Sequence, residues 1–288
     1  MRLSAERRAY AELILAAVLW STSGTFAKLL ALPGPTLAIF RTIFAGLCLL
    51  PFLAGRRRSF RPAMIPMVAC FAAMSVTFLT AMTYTTAANT IFLQYTAPLW
   101  MFAGGVAFLG ERIDRASVVA LAMGLGGVLV ILLGGPGGES TGMALALVAG
   151  VFFAGVGLYL RFLRKEDPVW LTTLNHLGSI LFILPLLLIG PMAGGFVWPV
   201  GWQWVGLFAF GAFQMALPYL LFSRALVHVS AHDAGILCLL EPVLNATFAA
   251  LIAGERPHVT TIVGGGILLG SVALRAIAGK KLVVLPGE

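Results

Sequence analysis

Apolar residues run through most of the chain in stretches of about twenty, separated by short polar or glycine- and proline-rich breaks. A helix rises about 1.5 Å per residue, so roughly 20 apolar residues cross the hydrocarbon core of a bilayer. The pattern predicts ten such spans: Tyr10–Leu32, Thr36–Ala54, Ala63–Tyr84, Ala87–Leu109, Ser117–Leu133, Met143–Leu163, Val169–Ile189, Trp202–Ser223, Ala231–Ala253 and Val259–Ile277. The breaks include Pro33-Gly34-Pro35, Gly134 through Gly138 around Pro136, and Gly190-Pro191 through Gly194-Gly195. The first apolar run follows a basic start and shows no small-x-small cleavage site, so it reads as a span and not as a removed signal.

Composition sharpens this picture. Hydrophobic residues make up 60% of the 288 and charged residues 10%, with a mean hydropathy of +0.98. A soluble domain carries roughly 25% charged residues, so the solvent for most of this surface is lipid. The net charge of +8 does not point to nucleic acid, because the basic residues sit in short clusters between apolar runs. Sixteen of the nineteen fall on one side of a ten-span topology, with Lys28, Arg41 and Arg256 as the exceptions. The positive-inside rule then puts both termini in the cytoplasm. Cys48, Cys70 and Cys238 are odd in number and lie within apolar runs, which fits small packing residues better than a disulfide framework.

The chain also repeats itself. Ala87–Arg112 laid on Ala231–Arg256 with a shift of 144 matches Ala87/Ala231, Leu93/Leu237, Pro98/Pro242, Gly110/Gly254, Glu111/Glu255 and Arg112/Arg256. A shift of 133 sets Trp20, Gly24 and Lys28 on Phe153, Gly157 and Arg161, and a shift of 134 sets Arg41 and Pro51 on Asn175 and Pro185. The units are residues 1–138 and 139–288, five spans each. An odd number of spans enters the second unit upside down. Inverted repeats with a site at mid-membrane are an architecture of secondary transporters.

On Leu19-Trp20, Pro98 with Gly110-Glu111-Arg112, and Glu241-Pro242 with Gly254-Glu255-Arg256, the chain resembles the drug/metabolite transporter superfamily, in its ten-helix EamA-type branch. Within that branch it is most similar to bacterial exporters of aromatic and other amino acids. The resemblance implies an all-α integral membrane protein of ten helices in two inverted five-helix repeats. It implies a central cavity lined by spans one to four and six to nine, with spans five and ten peripheral. It also implies a bacterial inner-membrane location, alternating access and no cofactor.

Glu241 stands near the middle of span nine. A carboxylate in hydrocarbon is costly, so it faces protein or a watery cavity. There it can meet a solute's ammonium group, carry a coupling proton, or simply hold helices together. Pro98 and Pro242 each remove a helical hydrogen bond, giving either hinges or fixed kinks. Arg41 offers a planar fork suited to a carboxylate. Lys28 could join it or snorkel to the interface. Aromatic candidates for the cavity are Trp20, Tyr84, Tyr95, Trp100 and Phe153, with Trp170 nearer the interfacial belt. Polar candidates are Asn89, Gln94, Asn175, His176, Gln214 and Asn245. Such a mixed wall suits an amphipathic small solute.

His228 and His232, with Asp233 adjacent, have a spacing that could hold a metal on a helix but fall on a predicted turn, and no metal site is expected. Gly124, Gly126 and Gly127 in span five resemble Gly264, Gly265, Gly266 and Gly270 in span ten. They permit close helix contact, either within the chain or in a homodimer.

No GxxxxGK[ST] phosphate loop is present, which argues against direct ATP use. The expected function is therefore secondary export of amino acids or similar amphipathic metabolites, without enzymatic activity. Alternatives within the class are cationic drugs and phosphorylated or nucleotide sugars. An integral-membrane enzyme would need a cluster of His, Asp or Glu at a membrane face, and a scaffold would not need polar groups at mid-membrane.

Overall fold

A computed structural model describes residues 2–109, 115–134, 139–189, 195–225, 228–229, 234 and 237–283. All regular structure among them is helical. The helices are α1 (Arg2–Trp20), α2 (Ser23–Leu30), α3 (Gly34–Leu49), α4 (Met64–Tyr84), α5 (Ala87–Gln94), α6 (Ala97–Leu109) and α7 (Arg115–Gly134). They continue as α8 (Ser140–Phe162), α9 (Pro168–Ile189), α10 (Gln203–Gly211), α11 (Leu217–Ala225), α12 (Leu240–Ile252) and α13 (Val259–Val283). Among the described residues, six segments are long and apolar enough to cross a membrane: Arg7–Leu30, Gly34–Leu53, Met64–Tyr84, Ser140–Phe162, Pro168–Pro185 and Gln203–Ala225. Shorter apolar helices are Val118–Leu133, Leu240–Ile252 and Val259–Leu274. Large apolar side chains point outward along them. Leu251 is 78% exposed, which suits contact with lipid.

Four predicted spans turn out to be interrupted among the described residues. Span one breaks at Ser21-Thr22 between α1 and α2. Span four breaks at Tyr95-Thr96 between α5 and α6, and α10 passes into α11 through a π-helical turn, Ala212–Ala216. Period alone does not reveal these interruptions, because the apolar run continues across them. In span nine a turn at Leu239 precedes α12. Tyr95 and Leu239 are 144 residues apart, and each precedes a proline by three.

Packing of α4 against α3, α8 and α9 forms the centre of the bundle, and α7 packs along α13. The glycines of α7 and α13 meet within the chain. A Cβ at Gly127 would lie 2.6 Å from the Gly264 carbonyl oxygen, and a Cβ at Gly264 would lie 2.6 Å from that of Gly127. The small residues therefore bring two backbones together within the chain, while Gly126 and Gly266 face open space.

The two ends of the bundle are tied by different charges. At the end predicted to be cytoplasmic, Arg56 donates to Asp167 at 2.8 Å, Ser59 donates to Glu166, and Trp170 Nε1 donates to the Ser59 carbonyl at 2.7 Å. Trp170 thus anchors a loop instead of merely sitting in the belt. Partial burial alone would raise the Asp167 pKa, but hydrogen bonds from Arg56 and from the Trp170 and Val169 N–H groups outweigh it and hold the carboxyl below its usual range. Its contribution is complete above the unfolded-state pKa and is lost as pH falls through the lower native value.

Gly127→Ala is predicted to destabilise the protein by about 1–3 kcal/mol, because backbone must move. Gly126→Ala, in open space, is predicted to be neutral or stabilising by up to ~1 kcal/mol through helix propensity. Thermal unfolding of the two variants in detergent checks the contrast.

Candidate binding cavity

The site begins with a backbone defect. Proline has no N–H, so Pro242 cannot donate to the carbonyl of Cys238 one turn earlier. Inside a membrane such a carbonyl must find another donor. Tyr95 supplies it from across the bundle: its Oη lies 2.9 Å from the Cys238 oxygen and 2.9 Å from Glu241 Oε2. Tyr95 itself sits at the break between α5 and α6, three residues before Pro98. Gly150 of α8 makes room there, since a Cβ would come within 2.5 Å of Thr96 Oγ1 and 3.1 Å of the Gln94 carbonyl.

Tyr95, Glu241 and Cys238 face a cavity of about 270 Å³ walled by residues of α1, α2, α3, α4, α5, α8, the π turn and α11. Of the residues expected from sequence, Trp20, Arg41, Gln94, Tyr95, Phe153, Gln214 and Glu241 line it. Arg41 is 3% exposed. One guanidinium nitrogen donates to Ser75 Oγ at 3.3 Å, and the group lies over the Phe210 ring at 5.2 Å from its centroid. Its Nε has no hydrogen-bond partner, and no described carboxylate pairs with it. A buried cation without an anion is unfavourable, and this one faces a hollow into which an anionic group would fit. Gln214 donates to the Trp20 carbonyl at 3.2 Å, the carbonyl where α1 ends, and its own Oε1 remains unpartnered. Trp20 packs edge-on against Tyr219 at 5.1 Å.

Six expected wall residues lie elsewhere, Asn89 among them, bonded to Glu139 and Thr261. Tyr84 is half-exposed at the end of α4. Trp100 is also half-exposed, and its Nε1 donates to Thr96 Oγ1 at 3.1 Å. Asn175 and His176 are buried in α9, outside the cavity wall. His176 Nδ1 lies 3.0 Å from Thr42 Oγ1, and its ring packs edge-on against Phe71. Asn245 donates to Ser23 Oγ at 2.6 Å, so it supports a wall residue without reaching the hollow. Pro242 is buried behind Glu241, and Pro98 lines a neighbouring hollow. Sequence reasoning missed Ser23, Met74, Tyr219 and Phe222 as wall residues; only their position on broken or central helices could have flagged them.

A second polar cluster joins helix ends where Lys28, Thr85, Glu139 and Glu255 meet. Lys28 does not snorkel. Its Nζ is 2.7 Å from Glu255 and donates to the Thr85 carbonyl at 2.9 Å. Gly254, at φ +70°, turns the chain back after α12, and the Glu255 N–H donates to the Ala249 carbonyl at 3.2 Å, as in a glycine-terminated helix end. The turn aims the Glu255 carboxylate at the start of α5, where it accepts from the Ala87 N–H at 2.8 Å. Beside it Glu139 accepts from Thr85 Oγ1 at 2.6 Å and from Asn89 Nδ2 at 2.8 Å, and Thr261 donates to Asn89 Oδ1 at 2.7 Å. These contacts seal one end of the bundle. The first-repeat counterpart, Gly110-Glu111-Arg112, lies outside the described residues, as do His232 and Asp233. Among the described residues no group of three potential metal ligands occurs.

A helical bundle with apolar outer faces, whose interrupted helices surround a cavity holding Arg41, Gln214 and Glu241, fits the architecture of a multi-pass membrane transporter. Comparison with known proteins makes the class specific. The EamA-like transporter family matches residues 8–133 and 140–276, and the chain belongs to that family. An uncharacterized transporter of Archaeoglobus fulgidus is 29% identical over 270 residues, covering 92% of this chain and 94% of that protein. The pseudopaline exporter CntI of Pseudomonas aeruginosa is 25% identical over 260 residues, covering 87% and 88%. A solved crystal structure with 18% identity superposes with a TM-score of 0.65 over 98% of this chain and 99% of its own, a likeness of fold.

The Lys28–Glu255 pair is predicted to be coupled. In a cycle of Lys28→Ala, Glu255→Ala and the double variant, thermal unfolding should show an interaction energy of about 0.5–3 kcal/mol, with the double variant little worse than either single one.

Proposed function

We propose that this transporter exports zwitterionic amphipathic solutes, amino acids with aromatic or other large apolar side chains foremost, across a bacterial inner membrane by alternating access. The observation that carries the reading is the placement of Arg41 and Glu241 on the wall of one cavity, Arg41 without an acidic partner among the described residues. Arg41 takes the solute's carboxylate through its planar fork. Glu241 takes the ammonium group. Trp20, Tyr95 and Phe153 give the apolar remainder a surface. A phosphorylated or nucleotide sugar fits less well: it needs several deep cations, and Lys28 is already paired with Glu255. The relative described as a pseudopaline exporter favours the outward direction of transport.

Glu241 also suits proton coupling. The Tyr95 hydroxyl has one proton and faces two acceptors, Cys238 O and Glu241 Oε2. A protonated Glu241 donates to Tyr95 Oη while Tyr95 donates to Cys238, and every group is satisfied. An ionised Glu241 competes for the same Tyr95 proton, and a solute ammonium relieves that competition. In this reading the chain is two inverted five-helix repeats, 1–138 and 139–288, with both termini cytoplasmic. The Lys28–Glu255 cluster then closes the outer end, and the interruptions before Pro98 and Pro242 are the places where the helices flex.

Efflux from proteoliposomes loaded with labelled amino acids, with and without a pH gradient, tests the proposal. Release of large apolar amino acids, absent from protein-free liposomes and steepened by the gradient, is expected. Glu241→Gln should abolish the response to the gradient. Arg41→Gln should weaken apparent affinity roughly ten- to hundredfold, as loss of a hydrogen bond to a charged group implies. Release of none of the amino acids overturns the substrate class.

A further inference from the structure

Beside the charged cavity lies a second hollow of about 330 Å³. Tyr95, Phe153 and Cys238 stand in the walls of both. Beyond those three, Met101, Gly157 and Val272 bound it. Among the lining residues beyond the Tyr95 hydroxyl, none carries a charged, amide or hydroxyl side chain. Its room comes from local sequence. The interruption at Tyr95-Thr96 and the ring of Pro98 shape one side. Gly157 shapes another: a Cβ there would stand 2.8 Å from Met101 Sδ and 2.9 Å from its Cε. A glycine facing a flexible methionine leaves a space whose size a few atoms decide.

We infer that this hollow receives the apolar side chain of the solute and sets its size limit, with Gly157 and Met101 as the specificity-determining residues. The inference rests on the export reading above and deepens it. The occupant is a solute side chain because the hollow shares three wall residues with the cavity that holds both charged groups. A ligand anchored by its charges on Arg41 and Glu241 has its side chain free to turn past Tyr95 and Phe153. The sulfur of Met101 is polarizable and adapts to ring edges, and an apolar wall contributes affinity in proportion to the surface it covers. Small amino acids bind through the charges alone and do not use the hollow. The glycine at 157 then serves a purpose that helix propensity alone disfavours, since glycine weakens a helix interior.

The test compares labelled L-tryptophan with L-alanine in proteoliposome efflux for the wild type, Gly157→Val and Met101→Ala. Gly157→Val fills the hollow and should lower the tryptophan-to-alanine ratio roughly tenfold or more, the scale on which apolar pockets discriminate side-chain size, with tryptophan efflux losing far more than alanine efflux. Met101→Ala enlarges the hollow and should extend transport to the bulkier 1-naphthylalanine, which the wild type carries poorly. If Gly157→Val does not elute as a monodisperse species, the Met101→Ala arm decides alone. An unchanged tryptophan-to-alanine ratio in Gly157→Val overturns the inference. So does an equal loss of both solutes, the result expected if a lipid chain fills the hollow or the helices merely jam. No gain for 1-naphthylalanine in Met101→Ala also overturns it. Failure of the wild type to release either amino acid overturns the parent reading instead.

Discussion

The bond from Tyr95 to the Cys238 carbonyl is the contact on which the site depends. Pro242 deprives that carbonyl of its helical donor, and hydrocarbon offers no water to replace it. The replacement comes from another helix, so the two interrupted spans are held face to face inside the bundle. That same hydroxyl reaches Glu241. One side chain therefore satisfies a backbone defect and orients the acidic group of the cavity. The arrangement explains why a proline follows a carboxylate directly. The kink opens the carbonyl, the carbonyl captures the tyrosine, and the tyrosine fixes the acid.

Charges are handled differently at the two levels of the bundle. At the end where Lys28 meets Glu255, each ion has a partner, and Glu255 also answers the unpaired N–H at the start of α5. Carboxylates at helix starts are favoured by the aligned peptide dipoles. In the cavity the charges face space. Arg41 has a hydroxyl and a ring face but no described anion, and buried amide oxygens such as that of Gln214 lack donors. Satisfied charges hold structure together, whereas unsatisfied ones invite a ligand. That difference separates the Lys28–Glu255 cluster from the cavity wall more clearly than residue type does.

Much of the fold was legible because lipid imposes a simple code. The ten apolar runs fall on helical segments wherever the structure describes them, although α1 starts at Arg2, before Tyr10, and α13 runs on to Val283, past Ile277, and Arg56 and Arg61 meet Asp167 and Glu166 at one end of the bundle. The places of Glu241, Arg41 and Gln94 on the cavity wall were legible because polar groups in apolar runs must face something polar. Trp100, His176 and Asn245 were not: Trp100 bonds to Thr96 beside the break, Asn245 is taken up by Ser23, and His176, in the unbroken α9, is taken up by Thr42 and Phe71, and a residue's type does not reveal which neighbour it meets. Lys28 was misread for a related reason. Its partner Glu255 is distant in sequence and reaches it only through the left-handed turn at Gly254. The shift of 144 pointed to that motif but not to its use. Tyr219 and Phe222 entered the cavity through the π turn in span eight, which apolar residues spell no differently from α-helix.

The central claim is that Arg41 and Glu241 hold opposite ends of one zwitterion. Calorimetric binding to the purified protein tests it most directly, with tryptophan, tryptamine and indole-3-propionate as ligands. The first carries both charges, the second only the ammonium group and the third only the carboxylate. The account predicts that tryptophan binds at least about tenfold tighter than either analogue, since each lacks one charged hydrogen bond. Tryptamine or indole-3-propionate binding as tightly as tryptophan would contradict it.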